Sequence, residues 1–367
     1  MSHAKVHVVH ELVRRGLLDR TELVDGGVTV VDSTSRHRNS QVIRKAGGGY
    51  FVKEAIPTQT MSLQTLMREA STYAIVQNGN GPLASLAAIM PRYHLWDPQQ
   101  RLLVLELLSS AETLGAQIRR TSTFSPASAA DFGRALATYH GQAAGNAMST
   151  LGQLFPRSLP WALTFSQQSA GAMQGLSGAN NQMFSLIQRY PNFPARLDAL
   201  QKTWRRDTLI HGDLKFENLM LSYASGTDGP AGIRVVDWEV ADVGDPRWDV
   251  GSMLQSWLSY WIFSMPADGS VTGVEQLAAQ AQYPLEAMRP AIHAFWRAYT
   301  DTMRVSDGAE RELLDTCISF GAARMVQTVF ESMYQSPQLT PHAIFMLQVS
   351  LNILEQPSAA VAELLVM

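Results

Sequence analysis

The segment His211-Gly212-Asp213-Leu214-Lys215-Phe216-Glu217-Asn218, followed nineteen residues after Asn218 by Asp237-Trp238-Glu239, holds the residue types that phosphoryl transfer to a hydroxyl requires. A hydroxyl attacking the terminal phosphate of a nucleotide needs an oriented acceptor for its proton, and the triphosphate needs a divalent metal to absorb charge. Asp213 is placed to orient and deprotonate the nucleophile. Asn218, five residues on, offers a carbonyl oxygen to Mg2+, and Asp237 offers a carboxylate to the same metal.

These motifs need elements that aim them. Leu209-Ile210 precedes the first, Leu219-Met220-Leu221 follows it, and Ile233-Arg234-Val235-Val236 leads into Asp237, so short apolar strands flank both. Residues 222–232, rich in Ser, Gly, Asp and Pro, read as the hairpin loop joining the last two strands. Either motif alone would read as surface turn residues. In order and on strand ends, they read as one site.

With those residues in view, the chain resembles the aminoglycoside phosphotransferase and choline kinase type of enzyme, a relative of the protein kinases. The run from Val236-Asp237-Trp238-Glu239 through Gly244-Asp245-Pro246-Arg247-Trp248-Asp249 is similar to that family's metal loop and the segment after it. Protein kinases would show Phe-Gly after the metal-binding Asp and a long activation segment ending in Ala-Pro-Glu, and neither is present. The resemblance implies an α+β, bilobal protein-kinase-like fold, with a small antiparallel-sheet N-lobe and a large helical C-lobe. It places the nucleotide-binding N-lobe and a leading helix in 1–108, and the C-lobe in 109–367. The C-lobe would carry a catalytic loop (209–221), a metal loop (233–249) and a substrate subdomain at about 152–205 with the C-terminal helices. Asp249 would be a buried carboxylate holding the catalytic loop's backbone, with His211 as further structural support. ATP or GTP would be the co-substrate.

An N-lobe of that kind is visible. Residues 28–32 and 41–44 read as two strands around a polar turn at 33–40, and Gly47-Gly48-Gly49 turns the chain into Tyr50-Phe51-Val52-Lys53. Lys53 then contacts the nucleotide phosphates, and Glu69, sixteen residues on in a helical pattern with Leu63, Leu66 and Ala70, is its partner. A solvated Lys–Glu pair is the plainer alternative. The phosphate-covering turn has no glycine; Ser35 and Asn39, with Arg36 and Arg38, are the groups that could reach phosphate oxygens, and a solvated hairpin turn stands beside that reading for each. Residues 88–91 and 102–108 read as the fourth and fifth strands around a turn at 97–100. By resemblance, the backbone from Glu106 to Leu108 is the hinge that bonds the adenine edge.

Beyond Ser110 the patterns become helical. Phe132, Leu136, Tyr139 and His140 share one face of a helix opened by Ser125-Pro126; His140 reads as a packing histidine rather than a ligand. Leu285, Met288, Ile292, Phe295 and Tyr299 repeat the spacing, 308–335 gives a long helix interrupted by Gly321, and 341–355 gives another. Pro191 and Pro194 break the pattern after Tyr190.

The 367 residues suit two lobes, and 17% charged, 46% hydrophobic and a net charge of -3 describe an ordinary globular enzyme with no basic run for nucleic acid. The single Cys317 reads as a buried core thiol, and with no membrane span or signal core the expected location is cytoplasmic. His3, His7 and His10 decorate the outside of a leading helix, with a metal site as the sharper alternative.

The acceptor is less legible. Acids of the helical lobe (Asp301, Asp307, Glu310, Glu312, Asp315 and Glu331) read as solvated faces rather than a polycation pocket, and Trp257, Tyr260, Trp261, Trp296 and Tyr299 read as core before a box for a quaternary ammonium. Lys215, two residues after Asp213, matches the protein-kinase habit, in which it neutralises the transferring phosphate. It therefore favours a Ser/Thr peptide acceptor, whereas the missing activation segment favours a small alcohol. A non-catalytic binding module is the third reading; it would have lost one of Lys53, Glu69, Asp213, Asn218 or Asp237, and all are present.

Overall fold

Alternating apolar residues from Val28 onward build a five-stranded antiparallel sheet: β1 Val28–Asp32, β2 Arg38–Arg44, β3 Gly49–Glu54, β4 Tyr93–Asp97 and β5 Leu102–Glu106, in the order β1-β2-β3-β5-β4. In this computed structural model all residues are described except 1–2, 34–36, 57, 79–82, 84, 146–154, 169–174, 224–229 and 267–273. Val42, Tyr50, Val52, Leu102 and Val104 of the sheet bury against Val8 and Leu12 of the His3–Arg14 helix and Leu18 beyond it. Gly49 turns into β3 at φ 153, where a Cβ would stand 2.1 Å from the Val42 carbonyl oxygen, so no other residue fits that crossing. The Thr60–Asn78 helix follows β3 and carries Glu69.

Two strands lie elsewhere than the sequence suggests. β2 begins at Arg38 rather than Gln41, because Asn39 and Ser40, although poor strand formers, are buried and paired with Lys53 and Val52. The fourth strand is Tyr93–Asp97, not 88–91; Leu86–Ile89 forms a 3-10 turn instead. An apolar quartet is too short for its period to tell strand from turn. Gln77 of the Thr60–Asn78 helix then sets the start of the true strand, donating to the Pro91 carbonyl (2.7 Å) and accepting from the Tyr93 amide (2.8 Å).

The contacts divide the chain into two compact units, 1–114 with 217–241, and 115–216 with 242–367. A linear boundary at 108 misses this, because β8 (Leu219–Tyr223) pairs on one side with β6 (Ala111–Thr113) and on the other with β9 (Pro230–Val235). That three-stranded sheet ties 217–241 to the first unit.

The second unit is helical apart from the antiparallel pair of β7 (Thr208–Ile210) and β10 (Asp242–Gly244). The Pro126–Gln142 helix packs on Leu285–Met303, and Pro246–Phe263 packs on Asp307–Ser332, which also meets Pro341–Glu355. Asp307–Ser332 runs unbroken through Gly321. Gly321 marks a close crossing: a Cβ there would lie 2.8 Å from the Gly251 carbonyl oxygen, and one on Gly251 would lie 2.7 Å from the Gly321 amide. Pro194 does not end a helix either; it sits in the first turn of Asn192–Lys202, where its missing N–H is not needed. No helix among the described residues is long and apolar enough to cross a membrane.

Candidate active site

In the first unit, register carries Lys53 opposite Asn39 of β2 and Leu103 of β5. Its ammonium donates to both oxygens of Glu69 (2.8 and 2.7 Å) and to Asp237 Oδ1 (2.7 Å). Lys53 and Glu69 are buried, whereas a third of the Asp237 side chain is exposed. Burial alone would lower Lys53, but the carboxylates of Glu69 and Asp237 outweigh it and hold the ammonium above its ordinary range. Burial pushes Glu69 up to about 7 against the pull of Lys53, with Asp237 and Glu239 adding to the rise.

Asp237 ends the β9 segment in the left-handed region (φ 68, ψ 55), and the Val236 amide donates to the Asn218 carbonyl (3.0 Å). Asn218 and Asp237 therefore border one cavity of ≈ 580 Å³, together with Asn39, Lys53 and Glu69. Glu106 and Leu108 form another stretch of its wall. That stretch is fixed by the Glu106 amide on the Arg92 carbonyl (2.8 Å) and the Leu107 amide on the Gly49 carbonyl (3.1 Å). Asn39 reaches the cavity from a strand rather than from the turn. Arg38 is exposed and does not line it, and Ser35 and Arg36 lie outside the described residues.

Sequence reasoning missed a buried link in this unit. His37, at the foot of β2, bonds Glu239 through Nε2 (2.9 Å) and Ser62 through Nδ1 (2.8 Å). It thus joins the end of the polar turn, the helix of Glu69 and the segment after Asp237. The partners lie 25 and 202 residues away, so no local pattern announces them.

In the second unit, Asp249 receives the amides of His211 (2.7 Å) and Gly212 (3.0 Å) and the Tyr139 hydroxyl (2.5 Å), with His140 Nε2 at 3.4 Å. Burial would raise Asp249, yet His140 and these donors bring it below the usual carboxylate range. Trp248 Nε1 donates to the Gly212 carbonyl (3.0 Å), and the His211 ring accepts the Asp213 amide (3.3 Å). The loop is thus held at successive residues. His140 also touches the Tyr299 hydroxyl (3.1 Å), so it belongs to this buried polar network as well as to the core.

Both oxygens of Asp213 are engaged: Oδ2 by Lys215 Nζ (2.7 Å) and Oδ1 by Arg324 Nη2 (2.5 Å). Burial would raise Asp213, but these two cations outweigh it and bring it down to about 2. Arg324 is the second residue missed. The signal was present: it is the one charge in Ser319-Phe320-Gly321-Ala322-Ala323-Arg324-Met325-Val326, on a helix face that is otherwise buried. Trp257, Trp261, Trp296 and Tyr299 are buried; Trp257 packs on Phe295 and Trp296 on Tyr299, so they form core and not an open box. Of the N-terminal histidines, His7 and His10 have 42% and 71% of their side chains exposed on the leading helix, and the side chain of His3 lies outside the described residues.

No curated protein sequence matches the chain significantly. Solved structures do resemble it in fold. Choline kinase LicA from Streptococcus pneumoniae is 15% identical, with a TM-score of 0.51 over 96% of this chain and 99% of that one. A choline/ethanolamine kinase family protein from Mesorhizobium loti is 14% identical, with a TM-score of 0.50 over 91% and 92%. A mutant of aminoglycoside 2'-phosphotransferase-IIIa in its GDP complex is 14% identical, with a TM-score of 0.50 over 98% and 99%. The fold is the protein-kinase-like α+β fold of these enzymes. The profile of the phosphotransferase enzyme family matches residues 27–295, which include Lys53, Glu69, Asp213, Asn218, Asp237 and Asp249 but not Arg324. The chain belongs to the phosphotransferase enzyme family.

Proposed function

We propose that this enzyme moves the terminal phosphate of ATP or GTP to a hydroxyl of a small molecule, with Lys53, Glu69, Asn218 and Asp237 serving the nucleotide and Asp213 serving the acceptor. The observation that carries the nucleotide side is the bridge from Lys53 to both Glu69 and Asp237 on the wall of a ≈ 580 Å³ cavity. The bridge fixes a cation where phosphates would lie and keeps a part-exposed carboxylate beside it. The GDP complex of the aminoglycoside relative keeps GTP beside ATP as donor.

Asn218 and Asp237 offer hard oxygen donors on one cavity wall, which suits Mg2+ held by few protein ligands plus phosphates. Bound there, Mg2+ would neutralise charge on the phosphate oxygens. Lys53 holds the phosphates, and Glu69 keeps Lys53 aimed. Asp213, ionised at neutral pH, accepts a hydrogen bond from the acceptor hydroxyl. The hydroxyl oxygen bonds to the terminal phosphorus, the bond to the bridging oxygen breaks, and nucleoside diphosphate leaves. A carboxylate held near 2 is a weak base, so the proton passes to Asp213 only once the forming oxygen–phosphorus bond has acidified the hydroxyl.

A small acceptor is favoured because Asp245 caps the Pro246–Phe263 helix only eight residues after Asp237, which leaves no chain for a peptide-docking platform. Residues 152–205 supply the rest of the acceptor region in this reading. Among them Trp161–Gln167, Gly178–Arg189 and Asn192–Lys202 are helical, and Trp161 stacks on Phe330 (4.4 Å), next to Glu331. The test is a panel of aminoglycosides, choline, other hydroxylated small molecules and Ser/Thr peptides, incubated with ATP or GTP and read by mass for phosphate gain. A small alcohol is the expected product; gain on peptides alone would overturn the small-molecule acceptor and leave phosphoryl transfer standing.

A further inference from the structure

Arg324 is a buried guanidinium with 2% of its side chain exposed, on a helix whose neighbouring positions pack into the core. Placing a charge there is costly unless it is paired and hydrogen-bonded. Its fork donates through Nη2 to Asp213 Oδ1 (2.5 Å), through both Nη atoms to Glu331 Oε2 (3.2 Å each) and through Nη1 to Thr328 (3.2 Å). Lys215, the other cation on Asp213, has 37% of its side chain exposed and hangs on a flexible stem. These two cations therefore hold Asp213 unequally. Oδ1 is clamped by a rigid planar donor, whereas Oδ2 is held by a group free to exchange.

Resting on the reading of Asp213 as the base, we propose that Arg324 is the positioning residue of the acceptor half: it locks Asp213 Oδ1 so that Oδ2 is presented to the incoming hydroxyl as Lys215 yields. Glu331, with 42% of its side chain exposed, balances the second cation at the edge of the cluster and sets the guanidinium plane. Lys215, released from Oδ2, keeps its charge beside Asp213. No covalent step is added to the transfer; Arg324 fixes only the direction and ionisation of the group that takes the proton.

A positioning role predicts a pH signature that a purely structural one does not. The titratable groups facing Asp213 are Arg324, Lys215 and His211, with Glu331 behind Arg324. Burial lowers Lys215 and Arg324, but the neighbouring carboxylates leave both above their ordinary ranges, so both stay charged between pH 5 and 8. Removing Arg324 removes the largest influence opposing burial at Asp213, whose titration then rises toward or past the ordinary carboxylate range of about 4.

The experiment uses the full chain with Mg-ATP and water as the acceptor, following initial rates of phosphate release from pH 3 to 9 for wild type, Arg324→Lys, Arg324→Met, the pair Arg324→Met/Glu331→Gln, and Asp213→Asn. Arg324→Met is expected to lower kcat by about 10²-fold, the size of a misplaced catalytic group, with KM for ATP within about twofold and the acid limb moved upward. Arg324→Lys should return the limb toward its wild-type position while recovering only part of kcat, because it keeps the charge but not the fork. The Arg324→Met/Glu331→Gln pair shows that the effect follows Arg324 rather than an unpaired Glu331, and circular dichroism of every variant checks that it is folded. Wild-type kcat and an unmoved acid limb in the Met variants would overturn the proposal, as would a loss equal at every pH and matched by lower ATP affinity. An Asp213→Asn enzyme as fast as wild type would instead overturn the reading of Asp213 as the base.

Discussion

Lys53 and Asp237 show how a side chain can hold a site ready for a metal. The Lys53 ammonium occupies Asp237 Oδ1 at 2.7 Å, so an arriving cation must compete with it unless phosphates draw the lysine away. Nucleotide should accordingly bind weakly without Mg2+, and Asp237→Asn, which tolerates the left-handed backbone at φ 68, should abolish the metal's effect. Calorimetric titration of ATP with and without Mg2+ reads this directly, and equal affinities in the wild type would sink the metal assignment. The contact of Lys53 with Glu69 was legible because residue types and order are constrained, and the seat of Asp249 beneath the His211-Gly212 backbone followed from the family resemblance. The contacts of His37 and Arg324 were not legible, because their partners lie 202 and 111 residues away and only the folded chain brings them together.

The crossing of Pro246–Phe263 with Asp307–Ser332 shows what periodicity conveys and what it hides. The later helix follows from its apolar spacing, whereas Pro246–Phe263 was not read from the sequence; Gly321 is marked there only as a weakness in a helix, since glycine costs roughly 1 kcal/mol against alanine. The structure inverts that meaning, because Gly251 and Gly321 let the two backbones meet. Gly321→Ala should therefore destabilise by about 1–3 kcal/mol through overpacking rather than stabilise by propensity. Gly308→Ala, in the same helix with nothing within 4 Å of its added carbon, should be neutral or slightly stabilising. Urea unfolding of the two variants separates the effects, and a stabilised Gly321→Ala would refute the close crossing. The shifts of β2 and β4 have a related origin. Asn39-Ser40 is strand because its neighbours pair with it, and 88–91 is not strand because Tyr93–Asp97 takes the edge position beside β5.

Across the whole chain, the least legible property was the path by which the first unit is completed. Thr113 of β6 pairs with Met220 of β8, so residue 114 ends close to where 217–241 begins, although 115–216 intervene in sequence. Residues 1–114 joined by a short linker to 217–241 should fold and bind Mg-ATP, whereas 1–108 alone should not bind, lacking Asn218 and Asp237. Circular dichroism and nucleotide titration test both, and a joined piece that fails to bind would show that the second unit contributes to nucleotide affinity. The same interleaving bears on how the protein emerges from the ribosome, where N-terminal regions generally fold first. Here the five-stranded sheet is available early, but β8 and β9 leave the exit tunnel only after all of 115–216 has been synthesised. For that interval the nascent sheet waits without Asn218 or Asp237, so a chain stalled anywhere before Asp237 has no metal-binding wall to offer a nucleotide.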